Sequence, residues 1–136
     1  MPMRTRYVES VDLFVEVLEG EIILEEAQAM KLEEIESGHF GPRTAILCIV
    51  HDVDFGKDRD MVRNFAGWLR TAYGEWSPRA AYLITGVQSA MLMGLLKAQF
   101  KDRPVELFST LEAAIDFLGR DPLVCTADAL AIEDVL

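Results

Sequence analysis

Few side chains in this 136-residue chain have the types and spacing that chemistry requires. Its two histidines are His39, in a glycine-rich turn, and His51, which follows an apolar run. Neither has a cysteine or a second histidine at the spacing of a zinc site, which needs three or four convergent ligands. His51 with Asp52 and Asp54 is the remaining metal candidate, and ordinary solvation at a strand end explains these residues more simply. We therefore expect no bound metal and no cofactor.

Nucleophilic catalysis has no visible support either. The chain contains no Gly-x-Ser-x-Gly turn, no Cys-x-x-Cys pair and no phosphate loop of the Walker type. Cys48 and Cys125 lie far apart in the chain, and Cys48 belongs to the apolar run from Ala45 to Val50, where a thiol behaves as a small hydrophobic side chain. We expect both thiols to be free, and we expect no catalytic residues and no enzymatic activity.

One loop has the setting of a ligand site. Thr85, Gly86 and Ser89 lie between a predicted strand and a predicted helix, where open α/β sheets commonly bind ligands and where backbone N–H groups favour anions. A plain turn in which Ser89 caps the helix is the alternative. The sequence leaves both interpretations open.

The charge of the chain makes several partners unfavourable. Lys and Arg number 13 and Asp and Glu 23, which gives a formal net charge of −10. A surface of that sign repels nucleic-acid phosphates and anionic lipid headgroups. No stretch approaches the roughly 18 apolar residues of a membrane span, and residues 1–6 do not open a signal peptide. The sequence therefore predicts a cytoplasmic protein with no nucleic-acid partner and no integral membrane segment.

Hydrophobic periodicity predicts strands that alternate with helices. The predicted strands are Val11–Leu18, Ala45–Val50, Ala80–Thr85 and Val105–Phe108, and the predicted helices are Leu24–Ser37, Met61–Tyr73 with Asp58 as N-cap, Gln88–Phe100, and Leu111–Leu118 with Thr110 as N-cap. The first strand alternates in the manner of a strand with one buried face, with Asp12 and Glu16 on the other. This order predicts a single α/β domain over residues 1–120, with a mostly parallel sheet of four to five strands and about four helices. Residues 121–136 form an apolar tail that packs on this domain or on a second subunit.

The third predicted helix carries more apolar surface than one contact needs. Its apolar residues span an arc on the order of 220° at about 100° per residue, whereas a helix on a sheet needs a stripe of about 100° or somewhat more. The excess predicts a protein interface at Met91, Met93, Leu96 and Phe100, with a second copy of the chain as the expected partner. The alternative is that the fourth helix and the tail cover this surface.

Several local strings resemble the SpoIIAA-like family, small bacterial proteins related to STAS domains and, by fold, to SEC14 lipid-binding domains. The resemblance covers about residues 11–118 and rests on five strings: Val17–Ile22, Val50–Asp52, Arg79–Leu83, Val105–Phe108 and Leu111–Leu118. It implies a four- or five-stranded mixed sheet and a regulatory or binding role without bond chemistry. The wider family has a phosphorylatable serine after its central strand, but the matching stretch here, 54–60, has no hydroxyl residue.

These observations together predict a non-enzymatic regulatory or protein-interaction module of the SpoIIAA-like type, without the serine switch. The alternative is a binder of a small apolar or lipid-like ligand between the sheet and its helices.

Overall fold

The computed structural model describes residues 3–55, 60–86, 91, 94, 95, 97–99, 101 and 103–136. Its strands are β1 (Met3–Val8), β2 (Leu13–Glu21), β3 (Ala45–Asp54), β4 (Ala80–Ile84) and β5 (Val105–Phe108). Its helices are α1 (Leu24–Glu36), α2 (Met61–Tyr73), α3, which has helical backbone at residues 91, 94, 95 and 97–99, and α4 (Leu111–Phe117). Short 3-10 turns cover Glu9–Val11 and Glu133–Val135.

The five strands form one sheet in which each strand lies beside its predecessor in the chain. β1 is antiparallel to β2, and the other neighbouring strands are parallel. The predicted α/β fold with a mostly parallel sheet and four helices is therefore confirmed. β1 has no counterpart in the predicted elements.

The two faces of the sheet bury two separate cores. The first core lies under α1 and α2 and includes Phe14, Leu18, Ile46, Cys48, Val50, Tyr82, Met30 and Leu69. The second lies under α4 and the tail and includes Leu13, Val15, Leu47, Ile49, Leu83, Ile115, Leu130, Ile132 and Val135. β2 and β3 supply residues to both cores, so these strands have no solvated face.

The prediction that β2 buries only one face is wrong. Phe14, Glu16 and Leu18 point away from the apolar series Leu13, Val15 and Val17, and all six side chains are buried. Glu16 is only 2% exposed, because α1 covers this face. A carboxylate in that position needs a partner, which the next subsection describes.

Local signals set several helix ends. The hydroxyl oxygen of Thr110 accepts a hydrogen bond from the backbone N–H of Ala113 at 3.3 Å, which confirms the predicted N-cap of α4. α2 begins at Met61 as predicted, with Asp60 in the N-cap position. Asp58, the predicted N-cap of this helix, lies outside the described residues. So do Gln88 and Phe100, the predicted ends of the third helix.

The tail crosses the second face of the sheet and is anchored at its start by Arg120. The guanidinium of Arg120 donates hydrogen bonds of 2.6–2.8 Å to the carbonyl oxygens of Val11, Asp12, Arg43 and Leu118. Further along the tail, Cys125, Leu130, Ile132 and Val135 are buried in the second core. At its end, Asp134 forms a salt bridge of 2.9 Å with Arg4 of β1.

Candidate functional site

The carboxyl ends of β3 and β4 bring together two residues that the sequence singled out separately, His51 and Thr85. The Nδ1 atom of His51 lies 2.9 Å from the Oγ1 atom of Thr85. The Thr85 hydroxyl also donates to the carbonyl oxygen of Val50 at 3.0 Å. With its one proton donated to Val50, the Thr85 oxygen can accept from His51 in the tautomer that carries a hydrogen on Nδ1.

A β-bulge shapes this end of the sheet. The pairing of β2 with β3 shifts after Glu19 and His51, and Gly20 then pairs with Val53, which leaves Asp52 as the extra residue. Asp52 has a left-handed backbone with φ of 48°, a conformation that Asp tolerates better than most residues. Its carboxylate lies 3.5 Å from the Nε2 atom of His51 and is mostly exposed.

The direction of these hydrogen bonds does not fit nucleophilic catalysis. In a hydroxyl–imidazole–carboxylate triad the hydroxyl donates its proton to the imidazole. Here the carbonyl oxygen of Val50, 3.0 Å from the Thr85 hydroxyl, competes with His51 for the one hydroxyl proton. Gly86 follows as a half-buried bend, and Ser89, the third residue of the predicted loop site, lies outside the described residues.

The most unusual chemistry in the described chain is a buried charged cluster of Glu16 in β2 with Lys31 and Glu34 in α1. Their exposed fractions are 2%, 4% and 1%. The Lys31 ammonium donates to Glu16 Oε2 and, at 3.5 Å, to Glu34 Oε1. Thr5 of β1 donates to the other oxygen of Glu34 at 2.8 Å. The cluster therefore ties α1 to two strands of the sheet.

Two carboxylates share one cation in this cluster, and their contacts with Lys31 and with each other decide which of them keeps a proton. Burial and the negative charge of Glu16 raise the pKa of Glu34 to about 9. Burial opposes the charge on Glu16 as well, but Lys31 and several hydrogen bonds hold the pKa of Glu16 below its usual value. The cluster at neutral pH thus contains an ionised Glu16, a charged Lys31 and a protonated Glu34.

The surroundings of Lys31 do not activate its amine as a nucleophile. Burial alone would lower its pKa, but the charges of Glu16 and Glu34 hold the pKa of Lys31 well above its usual value. A nucleophilic or Schiff-base lysine needs the opposite shift. Burial likewise raises the pKa of the nearby Cys48 thiol, which keeps it protonated and unreactive. The cluster is therefore an ionic link in the core, without an activated group.

Two narrow cavities flank Lys31 beneath α1 and α2. One has a volume of about 30 Å³ and is lined mainly by apolar side chains such as Leu18, Val62 and Phe65. The other has a volume of about 20 Å³ and is lined in part by Tyr73 and Arg103, whose Oη and Nε atoms are buried without a hydrogen-bond partner among the described residues.

The described part of α3 exposes apolar side chains. Met91 is 68% exposed and Leu95, one turn later, is 54% exposed. Of the predicted interface, Met93, Leu96 and Phe100 lie outside the described residues. On the other side of α3, the Lys97 ammonium forms a salt bridge of 2.7 Å with Glu106 of β5.

The charged cluster was not predicted, although the sequence contains a signal for it. Lys31 and Glu34 lie four and seven residues after Ala27, on the same buried stripe of α1. Glu16 lies midway between Phe14 and Leu18 on the same side of β2. Polar residues on two inward faces indicate a buried ion pair, because each would otherwise lack a partner.

Comparison with protein-family models, with curated proteins and with solved structures finds no match to this chain. Within the described residues, no helix has the length and apolarity that crossing a membrane would require. In that same part of the chain, no group of three or more His, Cys, Asp or Glu side chains has the arrangement of a metal site.

Proposed function

We propose that this chain is a non-catalytic protein-interaction module of the SpoIIAA-like type, which binds a second copy of itself through α3. The observation that carries the proposal is the exposure of Met91 and Leu95, 68% and 54%, on one side of the same helix. Exposed apolar patches on soluble domains commonly mark partner sites, and methionine adapts to varied contacts. A five-stranded mixed sheet with one antiparallel pair also agrees with what the resemblance implies.

The charges around α3 oppose self-association less than those of the acidic faces. The chain as a whole has a net charge of −10, so most faces of two copies repel each other. The stretch from α3 to β5, residues 86–108, is close to neutral, because its three basic residues are nearly balanced by Asp102 and Glu106. Two copies that meet at α3 therefore bring together little net charge and keep their acidic surfaces apart.

Two features, one in the core and one at the strand ends, favour this interaction module over the alternatives. Pockets for small organic ligands measure about 300–1,000 Å³, whereas the cavities beneath α1 and α2 have volumes of about 30 and 20 Å³. A lipid-like ligand would need a large rearrangement of the core to enter. The proton arrangement at Thr85 and His51 gives no support to an enzyme.

Light scattering tests the proposal. The intact chain at tens of micromolar is expected to have the mass of a dimer, and Met91→Glu with Leu95→Glu is expected to reduce it to the mass of a monomer. Both side chains are exposed, so the far-ultraviolet circular dichroism should not change.

The matched control is Leu123→Glu with Val124→Glu, which changes two apolar side chains that are 88% and 54% exposed in the tail. The control should remain dimeric. A monomeric wild-type chain, or equal dissociation in both double variants, would contradict an interface at α3.

A further inference from the structure

The far side of β1 is an open edge of the sheet. β1 pairs with β2 along all six of its residues, and no other strand of the described residues lies beyond it. Half of its backbone N–H and C=O groups therefore point away from the sheet. An edge of this kind binds an extended peptide by main-chain hydrogen bonds.

An open groove of about 570 Å³ lies between this edge and α1. Met3 and Met30 are buried at its floor, and the exposed side chains of Glu26 and Glu33 lie on its α1 side. Methionine is unbranched and flexible, so this floor can adapt to different apolar side chains. The groove thus offers backbone hydrogen bonds on one side, an apolar floor and carboxylates on the other side.

The carboxylates in the groove lack neutralising partners. Neither Glu26 nor Glu33 forms a salt bridge with a described residue. Arg4, the cation that lines the groove, is already paired with Asp134 at 2.9 Å. The charge of the groove is therefore complementary to a partner with lysine or arginine side chains.

A second copy of the chain does not suit this groove. If two β1 edges paired antiparallel around a two-fold axis, the same face of each sheet would lie on the same side. Both α1 helices would then lie side by side, with Glu26 and Glu33 of one copy near those of its partner. Like charges brought together in this way oppose association.

We propose that the groove between β1 and α1 binds an extended basic segment of another protein. The segment adds to β1 as a further strand and places its cationic side chains against Glu26 and Glu33. This surface is separate from α3, so its occupancy does not depend on self-association.

A titration of the intact chain with a capped peptide tests this inference. The peptide alternates lysine with valine over six residues, the length of β1. Glu26→Lys with Glu33→Lys should weaken binding by at least about tenfold, because the groove then repels the peptide. The control, Glu25→Lys with Glu36→Lys, makes the same charge change on exposed residues of α1 that do not line the groove, and it should weaken binding by less than about threefold.

Hydrogen exchange distinguishes strand addition from simple charge attraction. The peptide should slow amide exchange in residues 3–8, and a peptide N-methylated at alternate residues should bind weakly, because it cannot pair with the edge.

Equal losses of peptide affinity in the two glutamate double variants, or unchanged exchange in β1, would overturn the proposal. Concentration-dependent protection of β1 without peptide would also overturn it, since a second copy would then occupy the edge. Met91→Glu with Leu95→Glu should bind the peptide normally, which keeps this inference separable from the proposed dimer.

Discussion

At the scale of single residues, Glu34 makes the stability of the fold depend on pH. Its pKa rises from 4.5 in the unfolded reference to about 9 in the folded chain, so folding takes up a proton between these values. The stability that a protonated Glu34 contributes is complete below about pH 4.5 and is lost as the pH rises towards 9. Glu16, whose pKa is lowered, loses its contribution on acidification, and Lys31 loses its contribution only in strong alkali.

We therefore expect Glu34→Gln to flatten the pH dependence of the free energy of unfolding. The amide keeps the size of the protonated acid, and its oxygen can still accept from Lys31 while its NH2 group donates to the Thr5 hydroxyl. Wild type should lose on the order of 2–3 kcal/mol relative to Glu34→Gln between about pH 6 and pH 8, since one proton is worth about 1.4 kcal/mol per pH unit. Urea unfolding at a series of pH values measures this difference. Glu33→Gln, on the exposed side of α1, is the control, and its free energy of unfolding should follow the wild-type pH dependence. Parallel pH dependences for wild type and Glu34→Gln would mean that Glu34 is ionised in the folded chain.

At the scale of elements, the helices and inner strands could be predicted because each carries its pattern locally. The apolar spacing of α2, the Thr110 cap of α4 and the unbroken apolar run of β3 each lie within one segment of sequence. β1 was harder to predict, since its six residues include Arg4 and Arg6 and its pairing depends on β2. An edge strand needs only one neighbour and a half-buried face, so its sequence signal is weak.

The candidate site was harder to predict than the fold, because its contacts join distant segments. Thr85 could be located at a strand end, but its pairing with His51 depends on the register between β3 and β4. The burial of Glu16 depends on how α1 packs over β2. Neither the apolar pattern of α1 nor that of β2 contains this information alone. Periodicity describes one element at a time, and these contacts arise only when two elements are packed together.

The start of the tail depends on Arg120, whose planar guanidinium reaches four carbonyl oxygens. Arg120→Lys keeps the positive charge but loses the fork of donors, so several carbonyl groups should lose their partner. We expect the free energy of unfolding to fall by about 1–3 kcal/mol, as measured by urea denaturation. Arg43→Lys is the control, because the Arg43 side chain is exposed and has no hydrogen bond or salt bridge with a described residue. A loss of the same size in both variants would show that the effect comes from replacing arginine rather than from the carbonyl contacts.

At the scale of the whole molecule, the single sheet divides the described interior into two cores that share only the strands. Helices α1 and α2 cover one core, and α4 with the tail covers the other. The first core contains the ionic cluster and both narrow cavities, and the second is almost entirely apolar. We therefore expect the two coverings to separate from the sheet independently, as local units of structure often do.

This division gives each core its own chemical reporter. Cys48 lies beneath α1 and α2, Cys125 belongs to the tail and faces the second core, and both thiols are free and only 1% exposed. Burial raises the pKa of each thiol, so neither reacts with maleimide until its covering lifts. In timed labelling followed by peptide mass spectrometry, Cys125 should react before Cys48, because lifting the short tail exposes less apolar surface than lifting two helices. Arg120→Lys should speed the labelling of Cys125 alone, whereas equal rates at both cysteines would mean that the two halves of the interior open as one.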